Sequence, residues 1–249
     1  MFLDERTASR LSERTRFGDV RHFAQIGSTN TYLREQAAAG APEGTVAVAD
    51  VQTAGRGRMD RTWESPPGSG LLVSVLLRPT DLAATRLHLV TAAAGLSARQ
   101  AVEEVAGFTP ELKWPNDLVV SGSKLAGILA ESAGGAVVVG VGINLTWAPR
   151  EGVALSDLSA AAVSREDLLV ALLEALERRC GDWESVTEEY RSTCATVGRA
   201  VRVEMSGGDL EGVAEQIDAD GRLVVRTGEG RLVAVAAGDV VHLRPEDGC

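Results

Sequence analysis

The chain has 249 residues, of which 45% are hydrophobic and 24% are charged, and its formal net charge is -10. This composition is typical of a globular protein with a sizeable core, and the acidic balance argues against a non-specific grip on nucleic-acid phosphates. No apolar run reaches the length of a membrane-spanning helix, and the acidic N-terminus is unlike a signal peptide. We therefore expect a cytoplasmic protein that binds neither DNA nor a membrane.

The first part of the chain predicts a lead-in, a helix and a strand. Residues 1–18 are rich in Arg, Glu and Ser and are predicted to be a mobile lead-in, too short for a DNA-reading helix-turn-helix. The segment STNTYLREQAAAG predicts a short helix with Ser28 or Thr29 as its cap and Gly40 at its end. The valine-rich TVAVADVQ predicts a strand, and a loop rich in arginine and glycine follows it.

The middle of the chain predicts a sheet with flanking helices. LLVSVLLRP reads as a strand, and residues 86–106 predict a long helix that ends at Gly107. DLVVSGSKLAGILAE predicts a hairpin around Ser121-Gly122-Ser123, and GAVVVGVGINLT predicts another buried strand. Because the strands come in runs, we predict an α+β fold, a mixed β-sheet with flanking helices, over residues 19–197.

The last part of the chain changes in character. SREDLLVALLEALERRC predicts a helix capped by Ser164, and a second helical segment leads to Cys194. From residue 198, short alternating strands are separated by tight Gly/Asp turns, which predicts a small β-barrel over residues 198–249.

Cysteine and histidine give little support for a metal site. Cys180, Cys194 and Cys249 fit no paired metal spacing, and their odd number argues against a disulfide framework. The three histidines are scattered. We predict no metal-ligating set in the protein and no histidine-based triad.

Lysine is rare in this chain. Lys113 and Lys124 are its only lysines and lie in one run, KWPNDLVVSGSK, while the other 23 basic residues are arginine. An ammonium is a compact, flexible point charge, unlike the planar guanidinium fork. The pair is therefore predicted to lie in a functional site. The alternative is chance clustering in a chain whose arginine bias reflects a GC-rich genome.

The arginine-rich loop carries the motif GRGR. A dinucleotide-binding loop would need a third glycine and an immediate helix, but Asp60 and two prolines follow, and no P-loop motif occurs. Glycines allow a ligand to approach the backbone, and guanidiniums neutralise a carboxylate or a phosphate. A solvated basic loop is the alternative. The residues concerned are Gly55, Arg56, Gly57, Arg58 and Arg61.

Five motifs occur in a specific order: GSTN, GRGR with a following R and W, KWPND, KLAGIL and VGVGINL. Over residues ~20 to 243 this series resembles the biotin protein ligase family. The resemblance implies a class II synthetase-like biotin/lipoate ligase catalytic domain with a C-terminal SH3-like β-barrel. It also implies a biotin–[biotin carboxyl-carrier protein] ligase without the N-terminal DNA-binding domain of some relatives.

The resemblance also implies the site residues. The implied catalytic residues are Lys124, Arg58, Lys113 and Asp117. Those implied for biotin are Ser28, Thr29, Asn30, Gln52, Gly55, Arg56, Gly57, Arg58, Lys124, Gly127, Gly140 and Gly142. Those implied for ATP are Arg58, Arg61, Trp63, Lys113, Asn116, Asp117 and Asn144. Trp63 would pack on adenine or belong to the core, whereas Trp114 is expected in the core.

The implied reaction has two steps. The biotin carboxylate attacks the α-phosphorus of ATP, and an acceptor lysine then attacks the resulting biotinyl-5′-AMP. Lys124, Arg56 and Arg58 would neutralise charge, with Mg²⁺ on the phosphates. Asp117 would orient or deprotonate the acceptor amine, although it could equally bind Mg²⁺ or close the hairpin. The arginine loop is expected to be mobile when empty and to close over the adenylate.

The resemblance implies a partner as well. We expect the acceptor to be the biotin carboxyl carrier domain of an acyl-CoA or pyruvate carboxylase, and homodimer formation is left open. Two other functions are considered: a lipoate-protein ligase and a non-catalytic biotin-binding protein. Asp60 is unusual, because it places an anion among the arginines, where it would weaken phosphate attraction or pre-position Arg58 and Arg61.

Overall fold

The computed structural model describes residues 4–59, 61–83, 86–205, 207–236 and 238–243. Its helices are α1 (Glu5–Arg14), α2 (Thr29–Ala38), α3 (His88–Ala106), α4 (Arg165–Arg179) and α5 (Trp183–Thr193). Its strands are β1 (Val20–Phe23), β2 (Val46–Ala49), β3 (Gly70–Leu77), β4 (Glu111–Lys113), β5 (Asp117–Val120), β6 (Ser123–Ala133), β7 (Ala136–Asn144), β8 (Ala200–Glu204), β9 (Leu210–Ile217), β10 (Leu223–Arg226), β11 (Leu232–Val235) and β12 (Asp239–His242).

A seven-stranded sheet organises the larger part of the chain. Its strand order is β1-β2-β3-β7-β6-β5-β4, with β1 and β2 parallel and every other pair antiparallel. The predicted mixed sheet with flanking helices is therefore confirmed. No helix in the described part of the chain is long and apolar enough to cross a membrane.

Successive side chains on a strand point to opposite faces of a sheet, and this alternation positions the site. On β3, Val73 and Val75 join the core beneath α3 and α4, whereas Leu76 packs with Leu33 of α2 on the other face. Ser74 therefore points toward α2. The same alternation on β6 and β7 turns glycines and one glutamate toward α2.

Two local predictions match the structure. Ser28 caps α2, its hydroxyl accepting a hydrogen bond from the Thr31 amide, and Ser164 caps α4 in the same way. Ser121 and Gly122 have φ values of 51° and 85°, which are compatible with a tight turn between β5 and β6.

The C-terminal strands form a second, antiparallel sheet. Its order is β11-β10-β9-β8-β12. The sequence predicted a small β-barrel over residues 198–249, and the family resemblance implied that it is SH3-like. Within the described residues no closed barrel is present, since β11 and β12 stand at opposite ends of the strand order. Alternating strands predict each strand but leave open whether the first and last pair with each other.

The structure differs from the expected mobile lead-in. Residues 5–14 form α1, which Asp4 caps through the Thr7 amide. Leu11 and Phe17 are fully buried, and Arg10 donates two hydrogen bonds to Glu174 of α4. The polar composition of this segment comes from its exposed face. It gave no sign that Leu11 and Phe17 are buried.

The two sheets meet at the KWPND segment. The Trp114 amide donates to Thr196 Oγ1 at 3.0 Å, and its indole donates to the Gly221 carbonyl at 2.9 Å. Trp114 is buried in the core, as expected. His242 lies 3.0 Å from the same Thr196 oxygen. Burial, with the charges of Arg199 and Lys113, lowers the pKa of His242 to about 4.

We predict that docking of α1 stabilises the fold. Leu11→Ala removes a fully buried side chain and is expected to lower the free energy of unfolding by about 2–5 kcal/mol. Arg6→Ala, on the exposed side of the same helix, should change it by less than about 0.5 kcal/mol. Urea unfolding measures both. Equal, small effects would mean that the segment does not dock.

We also predict an acid-sensitive junction. The pKa of His242 is lower in the folded state than its reference value of 6.5, so the unfolded chain binds more protons between these values. Stability contributed by neutral His242 is therefore present above pH 6.5 and is lost as pH falls toward 4. His242→Gln should flatten the decline in unfolding free energy between pH 7 and pH 5. Parallel curves for the two proteins would contradict this.

Candidate active site

A cavity of about 120 Å³ lies between α2, the arginine loop and the α2-facing side of the sheet. Most residues that the sequence analysis assigned to the site line it: Ser28, Thr29, Asn30, Gln52, Arg56, Gly57, Arg58, Arg61, Trp63, Asn116, Asp117, Lys124, Gly127, Gly140 and Gly142. The alternation of β3, β6 and β7 brings these distant segments together.

Glycines on β6 and β7 form the floor of this cavity. Gly127 and Gly142 are direct partners across the two strands. A Cβ atom at Gly142 would lie 2.6 Å from the Trp63 ring, and one at Gly140 would lie 2.3 Å from Asn30 Oδ1. Both distances are too short for a real contact. The room left by the glycines is therefore filled by the Trp63 indole and the Asn30 amide.

A buried polar network runs along one wall. The Gln52 side-chain oxygen accepts from the Thr29 amide at 2.7 Å and lies 3.0 Å from the Thr29 hydroxyl. The fully buried Ser74 hydroxyl lies 2.7 Å from that hydroxyl and 2.6 Å from Asn30 Oδ1. Asn30 Nδ2 donates to the Leu129 carbonyl and to Glu131, which fixes Oδ1 as the atom facing Ser74.

This network is short of protons. Three oxygen-oxygen contacts link Gln52, Thr29, Ser74 and Asn30, but the two hydroxyls carry only two protons between them. In one of the three contacts, therefore, two oxygen atoms face each other with lone pairs and no proton between them. Because oxygen lone pairs that face each other repel, the wall favours a ligand that brings N–H or O–H donors.

The arginine loop is folded on itself and held from two sides. The Gly57 amide donates to the Arg61 carbonyl at 2.7 Å. Arg56 pairs with Glu131 of β6 at 3.1 Å, and Glu131 is only 15% exposed. Arg61 pairs with Asp239 of β12. The loop is thus tied to both sheets. Asp60 lies outside the described residues.

Arg58 has a different environment from its two neighbours. It donates to Asn116 Oδ1 at 3.2 Å and to the Gly238 carbonyl at 3.5 Å, which are neutral acceptors. Burial lowers the pKa of Arg58 despite the charges of Asp239 and Asp117. Desolvation, with no directly bonded carboxylate among the described residues, favours the approach of an anionic ligand.

Lys124 faces the cavity from the start of β6. Its ammonium lies 2.7 Å from Asp117 and 5.6 Å from the centre of the Trp63 ring. A register shift between Leu118 and Val119 lies in the β5 strand opposite it. The pair places a cation and a carboxylate together at one end of the cavity.

A second chamber of about 180 Å³ lies across Trp63. Asn144 lines this chamber rather than the main cavity, and its amide donates to the Lys124 and Val153 carbonyls, each at 3.2 Å. Because Trp63 and Lys124 line both spaces, the indole ring is the wall between them. It belongs to the site.

The structure separates two other predicted residues from the cavity. Lys113 lines neither space. Its charge instead acts on His242 at the junction of the two sheets. Gly55 also does not line them, because it packs against the backbone of Trp63, whose carbonyl oxygen would lie 2.4 Å from an added Cβ. Gly55 therefore permits the tight loop.

Two lining residues, Ser74 and Asp239, and one residue that contacts the site, Glu131, escaped the sequence analysis. Ser74 is a lone hydroxyl within the apolar strand GLLVSVLL, a signal that was readable. Glu131 ends the GILAE run, and its alternation with Gly127 and Leu129 places it on the α2 face. Asp239 had no readable signal, because it reaches the cavity only through docking of the second sheet.

Two protein-family models match the chain. The model described as the biotin/lipoate A/B protein ligase family matches residues 22–147. The model described as the biotin protein ligase C-terminal domain matches residues 196–243. The two matches fall on the seven-stranded and five-stranded sheets respectively.

Individual relatives agree with these matches. The chain is 44% identical over 234 residues to a biotin–[acetyl-CoA-carboxylase] ligase of Mycobacterium tuberculosis, covering 89% of this chain and 88% of that protein. It is 33% identical over 223 residues to the bifunctional ligase/repressor BirA of Bacillus subtilis, covering 82% and 68% of the two chains.

Solved structures show the same architecture. A biotin protein ligase from Aquifex aeolicus in complex with biotin and ATP has a TM-score of 0.78 and 27% identity, with 91% of this chain and 99% of that chain covered. The corresponding values for the Leishmania major enzyme in complex with biotinyl-5-AMP are 0.64, 25%, 88% and 99%. From its sequence matches over most of its length, this chain belongs to the biotin/lipoate A/B protein ligase family, among the biotin protein ligases.

Proposed function

We propose that the main cavity binds biotin, that Trp63 and Asn144 bind the adenine of ATP, and that Lys124 and Arg58 activate the biotin carboxylate for transfer to a carboxyl-carrier domain. The observation that carries this proposal is the proton shortage between Gln52, Thr29, Ser74 and Asn30. The ureido ring of biotin has two N–H donors and one carbonyl acceptor, so it would supply what the wall lacks.

The same observation argues against lipoate. The dithiolane ring of lipoate has no N–H group, so it would leave the lone-pair contact unrelieved and displace water from a polar wall. A buried polar site rejects an analogue that lacks the matching donor much more strongly than a hydrophobic pocket rejects a missing methylene. Biotin is therefore the favoured substrate.

The nucleotide side follows from the second chamber. The Trp63 ring offers an aromatic face for the adenine, and Asn144 offers an amide beside it. Arg58 and Arg61 lie at the edge of the main cavity, within the same loop. A molecule spanning Trp63 would place its adenine in the chamber and its α-phosphate beside Lys124.

The first chemical step requires charge neutralisation and no general base. The biotin carboxylate is ionised at neutral pH, and its oxygen attacks the α-phosphorus while the bond to the β-phosphate breaks. Two anions must meet, and Lys124 and Arg58 place positive charge where they do. A rotatable ammonium can follow the phosphorus as the geometry changes.

The second step requires a neutral acceptor amine. A lysine amine is mostly protonated at neutral pH, and the Asp117 carboxylate lies 2.7 Å from the Lys124 ammonium. Once Lys124 turns toward the adenylate, Asp117 can orient the incoming amine and accept its proton. The amine nitrogen then bonds to the biotinyl carbonyl carbon as the bond to the phosphate oxygen breaks, and AMP leaves. The acceptor is proposed to be a carrier domain of an acyl-CoA or pyruvate carboxylase.

We propose that Mg²⁺ enters the site with the nucleotide, bound to its phosphates. Asp117 and Asp239 line the cavity, but each is paired with a cation. No cluster of three metal-ligating side chains occurs within the described ranges. These residues do not form a dedicated magnesium site, and Mg²⁺ commonly binds through substrate phosphates.

The two lysines provide a matched test. Labelled biotin, ATP and a carboxyl-carrier domain are incubated with Lys124→Arg and with Lys113→Arg. We expect Lys124→Arg to lower the rate of label transfer by about 100-fold or more. Lys113→Arg should change the rate of label transfer by less than about fivefold, which corresponds to roughly 1 kcal/mol, because Lys113 does not line the cavity. Full activity of Lys124→Arg would refute the proposed role.

Two parallel incubations address the other functions. Labelled lipoate in place of biotin should give no transfer, and transfer of lipoate in preference to biotin would overturn the assignment. Biotin binding measured by calorimetry without any labelled carrier would instead identify a non-catalytic biotin-binding protein.

We predict that Glu131 holds the arginine loop closed. Its partly exposed ion pair with Arg56 is worth about 1 kcal/mol or less, so Glu131→Gln should speed tryptic cleavage within the loop by up to about fivefold. Glu35→Gln, at an exposed position of α2, is the matched control. Biotin with ATP should slow cleavage of the unchanged protein. Identical cleavage rates of both variants would show that Glu131 does not hold the loop.

A further inference from the structure

The KWPND segment, residues 113–117, is held by α5 and by the residues just after that helix. The Tyr190 hydroxyl donates a hydrogen bond to the Pro115 carbonyl at 3.2 Å. Immediately before the segment, the Leu112 carbonyl accepts a hydrogen bond from the Ala195 amide at 2.8 Å. The backbone is therefore held both where the segment begins and at its centre.

Tyr190 is a buried donor close to the site, and the sequence analysis did not assign it there. Its residue is only 7% exposed. Burial raises the pKa of Tyr190 well above its ordinary value, and the charges of Asp117 and Arg58 also act on that pKa. The phenol therefore keeps its proton in neutral and mildly alkaline solution, where it continues to donate to Pro115.

The two residues that follow Pro115 both line the main cavity. The Asn116 side-chain oxygen accepts a hydrogen bond from Arg58, and the Asp117 carboxylate contacts the Lys124 ammonium. The carbonyl of Pro115 and the nitrogen of Asn116 belong to one planar peptide unit. A hydrogen bond that fixes this carbonyl therefore fixes the direction in which the chain enters the next two residues.

Resting on the proposed function, we propose that Tyr190 is a positioning residue for the transfer step, acting through the Pro115 carbonyl on Asp117. Tyr190 does not line the main cavity, so it acts without touching the reacting atoms. In this step the acceptor ammonium gives a proton to Asp117, its nitrogen bonds to the biotinyl carbonyl carbon, and AMP leaves. Without the hydroxyl, the peptide after Pro115 can turn, and the carboxylate loses the angle that proton transfer requires.

The two tyrosines of the chain provide a matched test. Tyr190→Phe removes only the hydroxyl that bonds to Pro115. Tyr32→Phe removes a hydroxyl that accepts from Arg21 at 3.0 Å, outside the main cavity. Transfer from presynthesised biotinyl-5′-AMP to the carrier domain is measured at pH 7, per site able to form adenylate. Tyr190→Phe should lower this rate by about tenfold, and Tyr32→Phe by less than about twofold. Equal rates for the two variants would overturn the proposal.

The pH dependence separates positioning from a loss of structure. The neutral fraction of a lysine amine rises roughly 100-fold between pH 7 and pH 9, so transfer depends less on Asp117 at the higher pH. The deficit of Tyr190→Phe should therefore shrink to about twofold at pH 9. Asp117 also faces Lys124, Arg58 and the residue opposite it on β4, Lys113, and these cations are the same in both proteins. An equal deficit at both pH values would mean damage to the fold and would contradict the role in positioning.

A double substitution tests whether Tyr190 acts through Asp117. In an Asp117→Asn protein, Tyr190→Phe should lower the transfer rate by less than about twofold, because the carboxylate on which it acts is already gone. A tenfold effect that persists in this background would overturn the proposal. Tyr190→Phe keeps the aromatic ring and its packing, and counting the sites that form adenylate removes any unfolded fraction from the rates. Failure of the proposed function is distinguishable, since the unchanged protein would then form no adenylate.

Discussion

The constraint on which the site depends is the absence of side chains at three positions of β6 and β7. Gly127, Gly140 and Gly142 share one face of the sheet, and an added Cβ at any of them would lie within 3.0 Å of Asn30 or Trp63. Because the floor is bare, Asn30 can reach across it to the Leu129 carbonyl and tie α2 to the sheet. Overpacking such a contact costs about 1–3 kcal/mol. Methyl groups at these glycines would therefore displace both Asn30 and Trp63, which form two walls of the site.

The second organising feature is the way the arginine loop is neutralised. Arg56 finds its carboxylate on β6 and Arg61 finds its own on β12, so the loop bridges the two sheets. Both ion pairs are partly exposed, and such pairs contribute about 1 kcal/mol or less. They are strong enough to bias the loop toward one position and weak enough to be exchanged for phosphate oxygens. The C-terminal sheet thereby helps to set the electrostatics of a site built mainly by the other sheet.

The sequence was most informative where structure is local. Caps such as Ser28 and Ser164, the hairpin at Ser121 and the buried strands were all readable, because each depends on neighbouring residues. The motif series also identified most residues of the main cavity. The features that the sequence did not reveal depend on tertiary contacts. Asp239 reaches the site because the second sheet docks there, and α1 carries its buried apolar side chains within a polar segment. Closure of the barrel likewise depends on pairing between distant strands, which alternation does not encode.

The rarity of lysine in this chain has a structural reason at only one of its two positions. Lys124 is 40% exposed, but its ammonium has close neighbours on the cavity side: an added Cβ at Gly127 would lie 3.3 Å from it, Asp117 is 2.7 Å away, and the Trp63 ring lies beside it. A guanidinium is wider and planar, so it could not keep these contacts within the same space. Lys113 has no such enclosure, and nothing in the structure explains why arginine does not replace it. Of the two rare lysines, only Lys124 lies in the site. The proposed chemistry requires a small positive charge there that can turn from Asp117 toward a phosphate.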